Sequence, residues 1–219
     1  VLKYSGSNPG GLIIIDSKIP KITDTITGKT IINSSSNGRG GSIISSITSS
    51  SQSGTFLRSQ LTVKKNGDLS SPNYLLTNTG SNEKNISITV GKNYNKSNIK
   101  ALLSYFNSEI GILKSSHVGN IKDLLRVIES DSPGVINDFS YDINYPNQDN
   151  THYTASLDYN HFFDIDKKLG FKYSFQLNNR KEYDLRIGDF KNIPSLDLNL
   201  STHRINTNYT WSNVFSEFT

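Results

Sequence analysis

The side chains able to hold a ligand by charge or ring contact gather in a few short stretches. NNRKEYDLR carries Arg180, Lys181, Glu182, Tyr183, Asp184 and Arg186. Arg180, Lys181 and Tyr183 suit an anionic chelate, because guanidinium and ammonium groups give charge-assisted hydrogen bonds to oxyanions. The same residues also suit, and more simply, a salt-bridged rim that stiffens a strand end or bridges lipid phosphates. PNYLLTNTG offers Tyr74 as a flat contact for a planar ligand, or as packing within its own loop. His117 lies in the longest connecting segment, where it meets a ligand or simply bonds its neighbours. The other histidines, His152, His161 and His203, are scattered, and no pair has the i, i+4 helical spacing of a metal site.

Other chemistries find no footing. The chain has no cysteine, which excludes disulfides, thiolate catalysis, iron–sulfur clusters and zinc–thiolate sites. There is no GxSxG elbow and no phosphate-cradling GxxxxGK[ST]. GRGG around Arg39 reads as a turn, since no helical pattern follows it. The expectation is a protein that is not an enzyme and holds no cofactor and no metal.

The elements that must position these residues follow a period of two. In YTASLDYNHF, residues Tyr153, Ala155, Leu157, Tyr159 and His161 fall on one side, and Thr154, Ser156, Asp158 and Asn160 on the other. LGFKYSFQLNN repeats the pattern, with Leu169, Phe171, Tyr173, Phe175 and Leu177 opposed to Lys172, Ser174, Gln176 and Asn178. Weaker copies place Leu57, Leu61 and Val63 together, then Ile86, Ile88 and Val90, then Ile99, Ala101, Leu103 and Tyr105, and finally Ile205, Thr207, Tyr209 and Trp211. Each is a strand with one apolar and one polar face. Earlier strands are expected over about 12–17, 26–35 and 42–50, the last two joined by SNGRGG.

The joints alternate in length. QSG, NYNKSN and FDIDKK are short; GDLSSPNYLLTNTGSNE, the segment 107–149 and IGDFKNIPSLD are long. Short joints therefore collect at one end of the sheet and long ones at the other. In the longest, HVGNIKDLLRVIES spaces Val118, Ile121, Leu124, Leu125 and Ile128 as one face of a short amphipathic helix, read either as packed on its own loop or as a lid.

Composition agrees with a sheet that needs only one greasy side. The 219 residues are 34% hydrophobic, below an ordinary soluble domain even with glycine added. The net charge of +4 comes from scattered residues, which disfavours nucleic acid. The longest aliphatic run, Leu12 to Ile15, is far short of the ~18 residues of a membrane helix. Strands of about ten residues, short turns on one rim, long loops on the other and aromatics such as Phe162, Phe163, Tyr209 and Trp211 near strand ends are the pattern of a membrane β-barrel. A soluble β-sandwich shares the alternation.

The opening YSGSNPGGLIII resembles the end of the plug of TonB-dependent outer-membrane receptors, through Tyr4, Gly10, Gly11 and the strand Leu12 to Ile15. SPNYLLTNTGSNEKNISITVGKNY, SYFNSEIGILKSSHVGNIKDLL, FSYDINYPNQDNTHY, FQLNNRKEYDLRIG and IPSLDLNLSTHRI are similar to the first barrel strands and extracellular loops of such receptors, particularly those from Bacteroidetes. The resemblance implies residues 1–22 as the C-terminal end of the plug and 23–219 as the N-terminal part of the barrel. The fold class is then all-β: about eight antiparallel strands of a larger transmembrane barrel, one plug strand and one short loop helix.

The implied function is energy-coupled uptake of a scarce ligand such as a ferric siderophore, haem or cobalamin. The implied partners are TonB, gripping a segment before Val1, a small-molecule chelate, and outer-membrane lipid. On this likeness the chain is an internal fragment located in the outer membrane. A glycan importer of the same class and a β-rich surface adhesin or carbohydrate-binding protein remain open. An adhesin would bury Leu157, Phe171 and Phe175 against a second sheet, whereas a receptor would leave them bare.

Overall fold

The computed structural model describes residues 20, 23–116, 121–186, 188–190, 192–213 and 216–218. The expected plug strand and His117 lie outside these residues. The strands are β1 (Thr25–Ser35), β2 (Gly40–Ser50), β3 (Thr55–Asn66), β4 (Leu69–Ser70), β5 (Leu75–Leu76), β6 (Ser81–Asn93) and β7 (Ser97–Gly111), then helix α1 (Ile121–Ile128), β8 (Asn147–Asp164), β9 (Lys167–Tyr183), β10 (Leu196–Asn213) and β11 (Ser216–Phe218). Nine of them form one antiparallel sheet in the order β1-β2-β3-β6-β7-β8-β9-β10-β11, and β4 and β5 pair separately. Eight of the nine are long, as the sequence predicts, and β11 is short. The protein is all-β, and the described strands form an open sheet whose edges are β1 and β11.

Each strand pairs with the next in the sheet, so no crossover is needed and every joint is a hairpin. The turns at 51–54, 94–96 and 165–166 lie on one rim; the connections 67–80, 112–146 and 184–195 lie on the other, together with the tight turn 36–39. At that turn Gly38 and Arg39 both have positive φ (80° and 43°), a left-handed pair that suits a two-stranded reversal.

Because residues paired across an antiparallel ladder project to the same side, the register tests whether the separate apolar faces join. They do. One row runs Leu61, Ile86, Tyr105, Tyr153, Leu177; the next runs Ile47, Ser59, Ile88, Leu103, Ala155, Phe175, His203; a third runs Ile26, Ser49, Leu57, Val90, Ala101, Leu157, Tyr173, Ile205. A fourth holds Ile99, Tyr159, Phe171 and Thr207. From Tyr153 to His161 the stripe is roughly 27 Å long at ~3.4 Å per residue.

This face is bare: Leu103 is 63% exposed and Ile205 70%, and Leu157 and Phe171 are also exposed. Among the described residues the buried apolar side chains are Phe56 and Pro146; Phe56 sits at the short-turn end of the polar face, with its ring against Gly91. On β6 the small polar residues Asn85, Ser87 and Thr89 are half-buried while the larger Ile86, Ile88 and Val90 are exposed. Such a reversal follows if the sheet curves toward its polar side, crowding that face and splaying the other.

The polar face is cross-linked by side chains. Lys172 pairs with Asp158 at 3.2 Å, Asn160 donates to Asn98 at 2.9 Å, and Asn178 donates to Asn150 at 3.0 Å. Arg58 donates to Thr48 at 3.3 Å. No helix among the described residues is long and apolar enough to cross a membrane.

Candidate functional site at the long-loop rim

The residues singled out for ligand contact do not converge. Alternation along β9 sends Arg180 to the polar face, in a row with Ser108, Asn150 and Leu198, and sends Lys181 and Tyr183 to the opposite face. Arg180 binds Glu182 two residues on, on its own side of the sheet, with Nε donating at 2.9 Å. Lys181 approaches Asp197 at 3.9 Å across the ladder. The Tyr183 ring stacks on Tyr145, with centroids 5.0 Å apart and planes 14° from parallel. In this arrangement Arg180 and Lys181 are braced at the strand end by ionic partners within the chain. Exposed pairs of this kind add little stability in water, so their contribution is to orient side chains at the rim.

Tyr74 sits at the tip of the β4–β5 hairpin. Its carbonyl accepts the Ser71 amide at 2.9 Å, and the ring is half-buried. The hairpin is clipped to the 36–39 turn by Asn37, whose side chain accepts from the Ser70 amide at 2.7 Å and donates to the Ser70 carbonyl at 3.0 Å. Next to Tyr74, Leu75 lines an open cleft of about 770 Å³ whose opposite wall is Ile136 to Ser140.

Sequence reasoning missed what shapes the rim. Residues 137–146, the returning limb of the longest connection, form a strap across the ends of β3, β6 and β7. Three polar residues of the 67–80 connection fasten it. The Asp68 carboxylate accepts the amides of Thr79 (2.9 Å) and Ser140 (3.2 Å), and its own amide donates to the Ser140 carbonyl at 2.9 Å. Asn78, at φ 66°, accepts the Asn144 amide at 2.8 Å and points its NH₂ at the carbonyls of Ile112, Asn144 and Pro146 at 2.8–3.0 Å. Thr77 takes the Lys114 amide on its carbonyl (3.1 Å) and the Asn137 amide on its hydroxyl (2.9 Å). All three are buried, where an unpaired polar group is costly and a satisfied one fixes a unique arrangement.

The strap needs room, and glycine supplies it. Gly67, Gly80 and Gly111 lie at the ends of three neighbouring strands, and a Cβ on Gly67 would come within 2.4 Å of the Phe139 ring, one on Gly111 within 2.4 Å of the Asn78 carbonyl. Beyond Gly67 the strap is held by Tyr141, whose hydroxyl donates to the Arg39 carbonyl at 2.7 Å, and by the Arg39 guanidinium lying 4.2 Å over the Phe139 ring.

Helix α1 forms where the spacing predicts it, with Arg126 paired to Asp123 at 3.0 Å one turn away. Its apolar stripe is not packed on its own loop: Ile121 is 77% and Ile128 69% exposed, and the helix has no buried residue. The helix lies between the two bonds that Thr77 makes, to Lys114 and to Asn137. Thr77 thus closes the base of an excursion that carries α1 away from the anchored strap.

Among the described residues, no group of three His, Asp or Glu side chains is placed to hold a metal. No family model, curated protein or solved structure matches the chain.

Proposed function

We propose that the chain is the N-terminal arc of a TonB-dependent outer-membrane receptor that takes up a scarce ligand such as a ferric siderophore, haem or cobalamin. The observation that carries the proposal is the uncovered apolar face, which runs from β1 to β10 across a meander whose other face is mostly polar. In water such a surface is a liability far larger than a soluble monomer exposes; against acyl chains it is the favoured state. The stripe, tilted by the roughly 35–45° usual for barrel strands, rises about 20 Å, close to the apolar band of roughly 25 Å on membrane barrels. Tyr105 and Tyr153 border it toward the long loops, and Tyr159, Phe171, Tyr209 and Trp211 toward the short turns, as amphipathic rings do at both interfaces.

In lipid every backbone group must pair, so the open edges at β1 and β11 call for further strands, and the polar face then lines a lumen. The long-loop rim is the ligand-receiving end in this reading, with the Leu75 cleft and Tyr74 as the first contact and TonB as the energy-coupling partner. The full-length product should fractionate with the outer membrane and migrate faster on gels before heating than after. Its deletion should depress growth or radiolabelled uptake under limitation for one of the three ligand types. Recovery in the soluble fraction overturns the membrane assignment, and membrane recovery with unchanged uptake of all three overturns the ligand class.

A further inference from the structure

Charge on the polar face is unevenly placed. Between the row of Phe106, His152 and Asn178 and the long loops, strands β1 to β10 carry Lys64, Glu83, Arg180 and Glu182, two of each sign. Between that row and the short turns, the same face of these strands carries Lys29, Arg58, Lys100, Lys168, Lys172 and Arg204 against one carboxylate, Asp158. One end is balanced and the other strongly positive. The cations gather most closely on β7 to β10, where Lys100, Asp158 and Lys172 share a row and Arg204 shares the next with Ser156 and Ser174. Lys172 binds Asp158 at 3.2 Å and stays exposed, as does Arg204. With strands ~4.8 Å apart and same-face residues ~6.8 Å apart, these groups border an area of roughly 14 Å by 7 Å.

Resting on the receptor reading above, we propose that the short-turn half of the polar face is an oxyanion site on the path of the cargo, centred on Lys172 and Arg204, and that the cargo is an anionic chelate and not a neutral molecule such as cobalamin or an uncharged glycan. A lumen lined by one sign of charge focuses the field and raises the local concentration of the opposite ion. An anion that enters at the balanced rim therefore meets a potential that grows more favourable toward the short turns. Lys172 and Arg204 offer N–H donors, and Ser156 and Ser174 offer hydroxyls; the carboxylates or phenolates of a metal chelate accept from both. The area they border matches a chelate about a nanometre wide. The chain's own first 22 residues do not answer the patch, since they hold Lys3, Lys18 and Lys21 against Asp16 alone. A neutral cargo leaves the asymmetry between the two halves without a use.

The experiment uses cells producing the full-length product and reads radiolabelled uptake of three probes: a ferric tris-catecholate, haem and cobalamin. The wild type should import one of the two anionic probes and not cobalamin. Lys172→Gln combined with Arg204→Gln should lower that uptake about tenfold, the loss of two charge-assisted contacts. The charge-keeping pair, Lys172→Arg with Arg204→Lys, should stay within about twofold of wild type. Exclusion of vancomycin, which reports whether the lumen stays closed, should be unchanged in both. Import of cobalamin alone, anion uptake by the glutamine pair equal to wild type, or an equal loss in the charge-keeping pair overturns the oxyanion site and leaves the receptor reading standing. Vancomycin entry through the glutamine pair also overturns it, because the cations then hold an acidic part of the receptor itself. A wild type that imports none of the three probes overturns the receptor reading and the site together.

Discussion

The two limbs of the connection between β7 and β8 leave and rejoin the same rim yet obey different physics. The returning limb, 137–146, gives its amides and carbonyls to Asp68, Thr77 and Asn78, and places Phe139 and Tyr145 against Arg39 and Tyr183. The outgoing part carries α1, where Arg126 pairs with Asp123 one turn away and whose apolar side chains are exposed. Equal loop status in the chain therefore conceals unequal stability, because local opening costs what the buried contacts of that segment cost. One limb behaves as an extension of the sheet, and the other as an appendage.

Mutations at the anchors test that difference most severely. Asn78→Leu removes the carboxamide facing three carbonyls and an amide and places a branched side chain at positive φ; it should cost about 3–4 kcal/mol. Limited proteolysis should then cut within 137–146, where wild type resists, and equal resistance would dissolve the contrast. Asp68→Ala strands two amides and should cost about 2 kcal/mol, seen as faster hydrogen exchange at Thr79 and Ser140. Tyr145→Ala deletes a ring stack worth about 1 kcal/mol beyond its buried area and should lower the melting temperature measurably while leaving exchange at Ser140 slow. Ile121→Ser, on the exposed stripe of α1, should move stability by no more than about 0.5 kcal/mol; a larger loss by thermal melting would mean the helix is packed after all.

Much of the sheet is legible from residue order because alternation is a local signal and register converts it into one surface. Tyr153 to His161 and Leu169 to Leu177 reveal their faces without knowledge of any partner. The signal fails in β10. There Leu196, Leu198 and Leu200 fall on the polar side, in rows with Glu182, Arg180 and Asn178, while Ile205 and Tyr209 fall on the apolar side with no bulge between them. The apolar phase reverses inside one strand, so LDLNL looks like part of the preceding joint. Arg180, Lys181 and Tyr183 look like one cluster in the sequence because strand alternation separates neighbours that a list of residues keeps together. The strap is less legible still. Its anchors, Asp68, Thr77 and Asn78, are common turn residues, and nothing local shows that their partners come from residues 112–146.

The seam of glycines also divides the rim into a part that must keep its dimensions and a part that need not. Since chain crosses chain at Gly67 and Gly111 with no space for a methyl group, the height of the wall there is set by backbone thickness alone. Residues added to or removed from the excursion between Lys114 and Asn137, whose base Thr77 closes, change only what projects above it. Variation in that stretch can alter what the molecule greets at its mouth while the frame beneath keeps its shape.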